Sequence, residues 1–230
     1  MPAHHAVLFD LDGTLLNSLT DLAQAMNLTL ARLGFPPHRE EAYKHFVGDG
    51  MKTLARRVLP ATHRDAATVQ ACQEGMRAEY GRRWAETTRP YPGIPELLDA
   101  LHQRAVTMVI LSNKPDDLTR QTVAHLLARW RFAAVAGARP DMAKKPDPAG
   151  ALRIADLLGR SPADFLYLGD SSTDMRTARA AGMKAIGAGW GFRTVAELQE
   201  NGAEAIINQP LELLQFLEKQ ADGPIGGRKD

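Results

Sequence analysis

Two carboxylates stand two residues apart in Asp10-Leu11-Asp12-Gly13-Thr14, directly after the apolar run Ala6-Val7-Leu8-Phe9. A strand here carries both acids out of a dry core and into a loop. Gly13 permits the turn that lets both serve one site. Crowding two carboxylates is costly unless a cation, a proton or a hydrogen-bond donor compensates. The pair therefore points to a metal site in which one acid can also do covalent chemistry.

Three further polar clusters lie downstream. Ser112-Asn113-Lys114 follows an apolar run, and Gly169-Asp170-Ser171-Ser172-Thr173-Asp174 follows another. Lys144-Lys145-Pro146-Asp147-Pro148 precedes a helical pattern. Together they supply acids, a hydroxyl and lysines. Mg²⁺ takes hard oxygen ligands and keeps several waters, so two or three carboxylates suffice to hold it. A carboxylate that attacks phosphorus splits one hard step into two. A second acid protonates the leaving oxygen and then activates water. A hydroxyl, loop amides, a helix N-terminus near Ser172 and a lysine can hold the phosphoryl oxygens.

Such clusters meet only if the fold brings them to one edge. Strands are expected at 6–9, 107–111, 133–136, 165–168, 184–186 and 205–207. Helices are expected at 94–103, 116–127, 148–158, 173–181, 195–201 and 211–219. Apolar, β-branched runs alternating with amphipathic helices indicate an α/β fold, a doubly wound parallel sheet with right-handed crossovers. Its strand C-termini share the edge where such sheets bind ligands. The span 18–84 breaks the alternation. Ser18 is expected to cap a helix with Asp21 three residues on, and Gly34 to end it. Further helices are expected at 39–46, 50–59 and 64–83. The stretch Arg89-Pro90-Tyr91-Pro92-Gly93 reads as a stiff return. The organisation expected is a core of 1–17 plus 89–221, an inserted helical unit at 18–88, and a loose tail at 222–230.

Composition sets the outer bounds. The 230 residues are 24% charged with a formal net charge of +1, which argues against a dedicated nucleic-acid surface. Cys72 stands alone, so neither an internal disulfide nor a CxxC zinc site can form. No apolar run approaches the roughly 20 residues of a membrane span. The N-terminus shows no signal-peptide pattern, so a cytoplasmic protein is expected.

The four clusters, in this order, resemble the motifs of the haloacid dehalogenase superfamily. Phe9-Asp10-Leu11-Asp12-Gly13-Thr14-Leu15 resembles its first motif, and Leu111-Ser112-Asn113-Lys114-Pro115 its second. Lys145-Pro146-Asp147-Pro148 resembles its third, and Leu168-Gly169-Asp170 through Asp174 its fourth. The resemblance implies a Rossmann-like core with an inserted helical cap. It implies Asp10 as nucleophile and Mg²⁺ ligand. Asp12 becomes the general acid/base, with its main-chain carbonyl on the metal, and Asp170 a third metal ligand. Ser112 and Asn113, with Gly13 and Thr14, would bind the phosphoryl group. Lys145, preferred over Lys144 because it directly precedes the proline, would balance charge on Asp10, and Asp174 would orient it. Asp12 argues against a dehalogenase, whose halide leaves without a proton.

Val47-Gly48-Asp49-Gly50, with Leu54 and Arg57, and Gly189-Trp190-Gly191-Phe192 resemble the phosphoglycolate phosphatase group. Asn17-Ser18 departs from the Asp-Ser of many relatives. The implied reaction is hydrolysis of a small phosphorylated metabolite, with 2-phosphoglycolate the best guess, by a monomer or homodimer without nucleic-acid or membrane partners. The alternatives are a phosphomutase of β-phosphoglucomutase type, a phosphatase for another sugar phosphate, and a non-catalytic phospho-ligand binder. Motion of the cap about Asn17 and Tyr91-Pro92-Gly93 is expected to complete the site. Lys114 reads as a solvated surface lysine, Asp49, Lys52, Arg56 and Arg57 as a solvated cap face in preference to a contact for a substrate carboxylate, and Cys72 as a small buried residue.

Overall fold

A computed structural model describes residues 4–217. The expected tail at 222–230, and the end of the helix expected at 211–219, lie outside them. Strand β1 (Ala6–Phe9) is four apolar residues in a row, all fully buried. That suits a strand covered on both faces. The remaining strands of its sheet are β4 (Thr107–Pro115), β5 (Ala134–Ala138), β6 (Phe165–Gly169), β7 (Lys184–Ala188) and β8 (Ala205–Ile207). The order is β5-β4-β1-β6-β7-β8, and every pairing is parallel. The chain builds outward from β1 through β4 to β5, then returns to lay β6 on the other side of β1. That reversal puts the switch point between β1 and β6.

Alternate side chains of the strands feed two cores. Val7 and Phe9 join Leu97, Leu98 and Leu101 of α5 (Ile94–Gln103). Ala6 and Leu8 join Ile154 of α7 (Ala149–Leu157) and Met175 and Ala178 of α8 (Ser172–Ala181). Helices α6 (Asp116–Leu126) and α9 (Val195–Glu200) complete the crossovers. The helix expected from 211 is a 3₁₀ segment at Pro210–Phe216.

The expected break in alternation is real. Helices α1 (Leu19–Arg32), α2 (Glu40–Phe46), α3 (Met51–Val58) and α4 (Ala66–Arg83) pack into a third core, which includes Met26, Tyr43, Leu54, Cys72 and Met76. Leu118 and Phe192 of the α/β unit also belong to it. The two crossings pair with each other as an antiparallel ribbon, β2 (Leu16–Asn17) against β3 (Arg89–Pro90), which the sequence reading missed.

Ser18 and Asp21 do not act as a capping pair. Ser18 occupies the N-cap position of α1 but makes no side-chain cap bond; its hydroxyl donates to Asp12 Oδ1 at 2.7 Å. Asp21 reaches the other crossing. Its buried carboxylate accepts from the amides and hydroxyls of Thr87 and Thr88. Burial works to raise its pKa, yet these donors outweigh it and lower the value. An ionised acid thus ties the start of the insertion to its end.

Candidate active site

The parallel register carries the expected clusters to one edge. Asp10 leaves β1 and Asp170 leaves β6, which are neighbours. Asp10, Asp170 and Asp174 each offer a carboxylate oxygen within 4.8 Å of the others. All three residues are buried.

Lys145 is the cation set among them. Its Nζ lies 2.8 Å from Asp10 Oδ1 and donates to Asp174 Oδ1 at 2.7 Å. The approach to Asp10 makes a close ion pair. Lys144 is exposed, and Lys145 is the lysine that reaches these acids. Burial works against the Lys145 ammonium, but Asp10 and Asp174 outweigh it and hold its pKa well above the ordinary value.

Asp174 has little left for a metal. Its Oδ1 also receives the Tyr167 hydroxyl at 3.3 Å, and its Oδ2 accepts from Ser171 N and Oγ. The Ser171 N bond, with Asp174 N donating to Ser171 Oγ in return, forms the capping box that starts α8. Asp174 is therefore both a helix-start acid and the partner that aims Lys145.

Asp170 is held by Thr14 Oγ1, which donates to its Oδ1 at 3.0 Å, and by Phe192 N, which donates to Oδ2 at 2.8 Å. Gly13, at φ 89°, and Gly191 are both required here, because a Cβ on either would collide with the Asp170 side chain.

Three acids face one lysine in this buried cluster, and the electrostatics register the excess. Burial, then Asp174, raise the Asp10 pKa to about 7 against the pull of Lys145. Burial, Asp174 and Asp10 raise that of Asp170 well above the ordinary carboxylate value. Hard oxygens and surplus negative charge are the donor chemistry of a divalent-cation site.

Asp12 stands apart from this cluster. It is paired with Lys114, whose Nζ lies 3.0 and 3.1 Å from its two carboxylate oxygens and also donates to Tyr80 OH at 2.7 Å. The expectation that Lys114 is solvated is overturned: its side chain is only 4% exposed. The physical reason is that β4 continues through Pro115, past its expected end at 111. The chain stays extended and carries Lys114 inward under α4. Its register against β5 shifts between Leu111 and Pro115.

Some expected phosphate contacts are spent elsewhere. The Asn113 side chain bridges Lys145 N, Lys145 O and Gly48 O, so it positions the lysine loop and the insertion. Gly13 N donates to Leu16 O, and the Thr14 hydroxyl is committed to Asp170. Ser112 Oγ accepts from Lys114 N, which leaves its own proton to donate.

The helical insertion lies against this edge at several points. Asn113 reaches Gly48, and Thr173 Oγ1 donates to Asp49 Oδ1 at 2.7 Å. Arg193 donates to the carbonyls of Lys44 and Val47 at the end of α2. Asp49 and Arg57, expected on a solvated face, are bonded to each other as well. Between the insertion and the acids is a cavity of about 60 Å³, bounded by Asp10, Asp12, Ser112, Lys114, Met51 and Tyr80.

A protein-family model described as haloacid dehalogenase-like hydrolase matches residues 7–188. The chain belongs to this family. A phosphoglycolate phosphatase from Pseudomonas putida is 33% identical over 220 residues, covering 94% of this chain and 81% of that protein. Another, from Chromobacterium violaceum, is 34% identical over 215 residues, covering 92% and 96%. A solved structure from Lactobacillus delbrueckii subsp. bulgaricus superposes with a TM-score of 0.88 at 27% identity, covering 95% of this chain and all of that one. The α/β architecture and the inserted helices are thus those of a haloacid dehalogenase-like hydrolase. Lys114, Tyr80 and Ser18 are the residues of this site that the sequence reading did not place. Tyr80 follows Val69, Cys72 and Met76 on the buried face of α4, so its spacing signalled only core.

Proposed function

We propose that this phosphatase hydrolyses 2-phosphoglycolate to glycolate and phosphate, with Mg²⁺ held by Asp10, Asp170 and the main-chain carbonyl of Asp12. The observation that carries the reading is the division of the acids into two environments. Asp10 sits with Lys145 in the anion-rich cluster. Asp12 sits beside it, facing the cavity and outside that cluster. One acid is placed to bond to phosphorus and the other to move protons.

Asp10 attacks the phosphorus. An aspartyl-phosphate bond forms, the ester P–O bond breaks, and Asp12 gives a proton to the departing oxygen. Asp12 then takes a proton from water, which attacks the same phosphorus and releases Asp10 and inorganic phosphate. Ser112 Oγ, which borders the cavity, holds a transferring oxygen, and the Lys145 ammonium balances charge on Asp10. Asn113 fixes the Lys145 backbone, and Asp174 aims its ammonium. Mg²⁺, when bound, neutralises charge on the phosphoryl oxygens. Residues 18–88 act as the cap that keeps water from competing positions, moving about the ribbon of β2 and β3.

A substrate panel tests the reaction. With Mg²⁺, 2-phosphoglycolate is expected to give the highest kcat/KM, with free phosphate as product and no turnover in EDTA. Metal-independent hydrolysis, or an isomerised sugar phosphate without free phosphate, would contradict the proposal.

The charge balance makes a separate prediction about stability. Asp10 rises from 3.8 to about 7 on folding of the metal-free chain. Between those values the folded state keeps a proton that the unfolded state has lost, so raising the pH through this window favours unfolding. A divalent cation offsets the charge of the ionised acids. Melting temperatures with Mg²⁺ and with EDTA are therefore expected to differ more at pH 8 than at pH 5. An equal difference at both would count against a metal at these carboxylates.

A further inference from the structure

We propose that Lys114 selects the substrate by binding an anionic group on its non-reacting end, a carboxylate in the case of 2-phosphoglycolate. The proposal rests on the phosphatase reading of this site. Among the described residues, Asp10, Asp12 and Lys114 are the charged ones that bound the cavity, so Lys114 is the one cation lining it there. Lys145 does not border it and is committed to Asp10 and Asp174. The cap cations Lys52, Arg56 and Arg57 do not serve. Arg57 is bonded to Asp49 and to Phe46 O, while Lys52 and Arg56 are exposed. The cap side of the wall is largely apolar, with Leu22, Met51 and Leu54 among its residues. An ammonium in such a setting attracts an anion more strongly than one in water.

The hydrogen bonds leave a place for that anion. An ammonium has three N–H groups, and those of Lys114 go to Asp12 Oδ1, Asp12 Oδ2 and Tyr80 OH. Asp12 takes two where one would hold it, and Ser18 Oγ secures its Oδ1 independently. An arriving carboxylate oxygen can therefore claim one N–H without releasing Asp12. Tyr80 OH accepts from Lys114 and donates no hydrogen bond among the described residues, so its proton is available to a second carboxylate oxygen. Asp10 and Lys114 line the same cavity, and Lys114 Nζ is bonded to Asp12, which puts that contact beside the reacting centre. A short substrate, with its anion one or two atoms beyond the ester oxygen, is the kind that would meet both groups.

Two inert phosphonates test the idea in Mg²⁺ buffer by calorimetric titration. 3-Phosphonopropionate replaces the ester oxygen of 2-phosphoglycolate with CH₂. Propylphosphonate also replaces the carboxylate with a methyl group. Wild type is expected to bind the first about 30-fold more tightly, the scale of a charged hydrogen bond in a dry site. Lys114→Met is expected to bring that ratio to within about threefold, with Tyr80→Phe intermediate. The ratio of kcat/KM for 2-phosphoglycolate over ethyl phosphate should fall in parallel, whatever happens to the absolute rates through Asp12. Equal binding of the two phosphonates by wild type overturns the proposal without any variant. So does a preference that survives in Lys114→Met, or a fall in both kcat/KM values that leaves their ratio unchanged. Failure of both phosphonates to bind would overturn the phosphatase reading itself and the proposal with it.

Discussion

Asp10→Asn is expected to cut turnover by at least about four orders of magnitude, the scale seen when a catalytic nucleophile is lost. The substitution is nearly isosteric, so packing around β1 should survive and the loss should be chemical. An amide oxygen neither attacks phosphorus nor shares a divalent cation as a carboxylate does. Folding should not suffer. Three acids share one buried lysine. Removing one negative charge relieves that crowding. The metal-free variant is expected to melt no lower than the metal-free wild type at pH 8. Steady-state rates and thermal melts check the two halves, and wild-type activity in the variant would remove Asp10 from the reaction.

Asp12→Asn is expected to reduce kcat on 2-phosphoglycolate by about 10²–10⁴-fold, the ordinary contribution of a general acid/base. The loss should depend on the leaving group. An alkoxide needs the proton that Asp12 supplies, whereas p-nitrophenolate departs without one. With p-nitrophenyl phosphate the first half-reaction should therefore survive in Asp12→Asn while the second, which needs a base, stalls. The expected signature is a burst of p-nitrophenolate near one equivalent per active site, followed by slow turnover. An equal loss on both substrates without a burst would mean that Asp12 acts by holding Lys114 rather than by moving protons.

The sheet was legible in the sequence because buried parallel strands announce themselves. Ala6–Phe9 and Phe165–Gly169 are apolar runs that no exposed element would carry. The acids were legible because each follows such a run. What the sequence concealed was how far β4 extends. Ser112-Asn113-Lys114 is polar and reads as loop, yet its backbone stays extended, and that alone turns Lys114 from a surface residue into a buried partner of Asp12. Ser18 and Asp21 show the same limit differently. Their spacing fits a local capping pair, but tertiary partners take both side chains, Asp12 for one and Thr87 with Thr88 for the other. The commitments of Asn113, Gly13 and Thr14 were likewise invisible, since each depends on a residue brought close only by the fold.

The central claim is that phosphoryl transfer passes through Asp10 covalently. Acid quenching during turnover of 2-phosphoglycolate with Mg²⁺, followed by peptide mass analysis, tests it most directly. The account predicts a phosphoryl group on the peptide carrying Asp10, accumulating further in Asp12→Asn and absent in Asp10→Asn. Turnover that proceeds with no phosphoryl group on that peptide in wild type or in Asp12→Asn would contradict it.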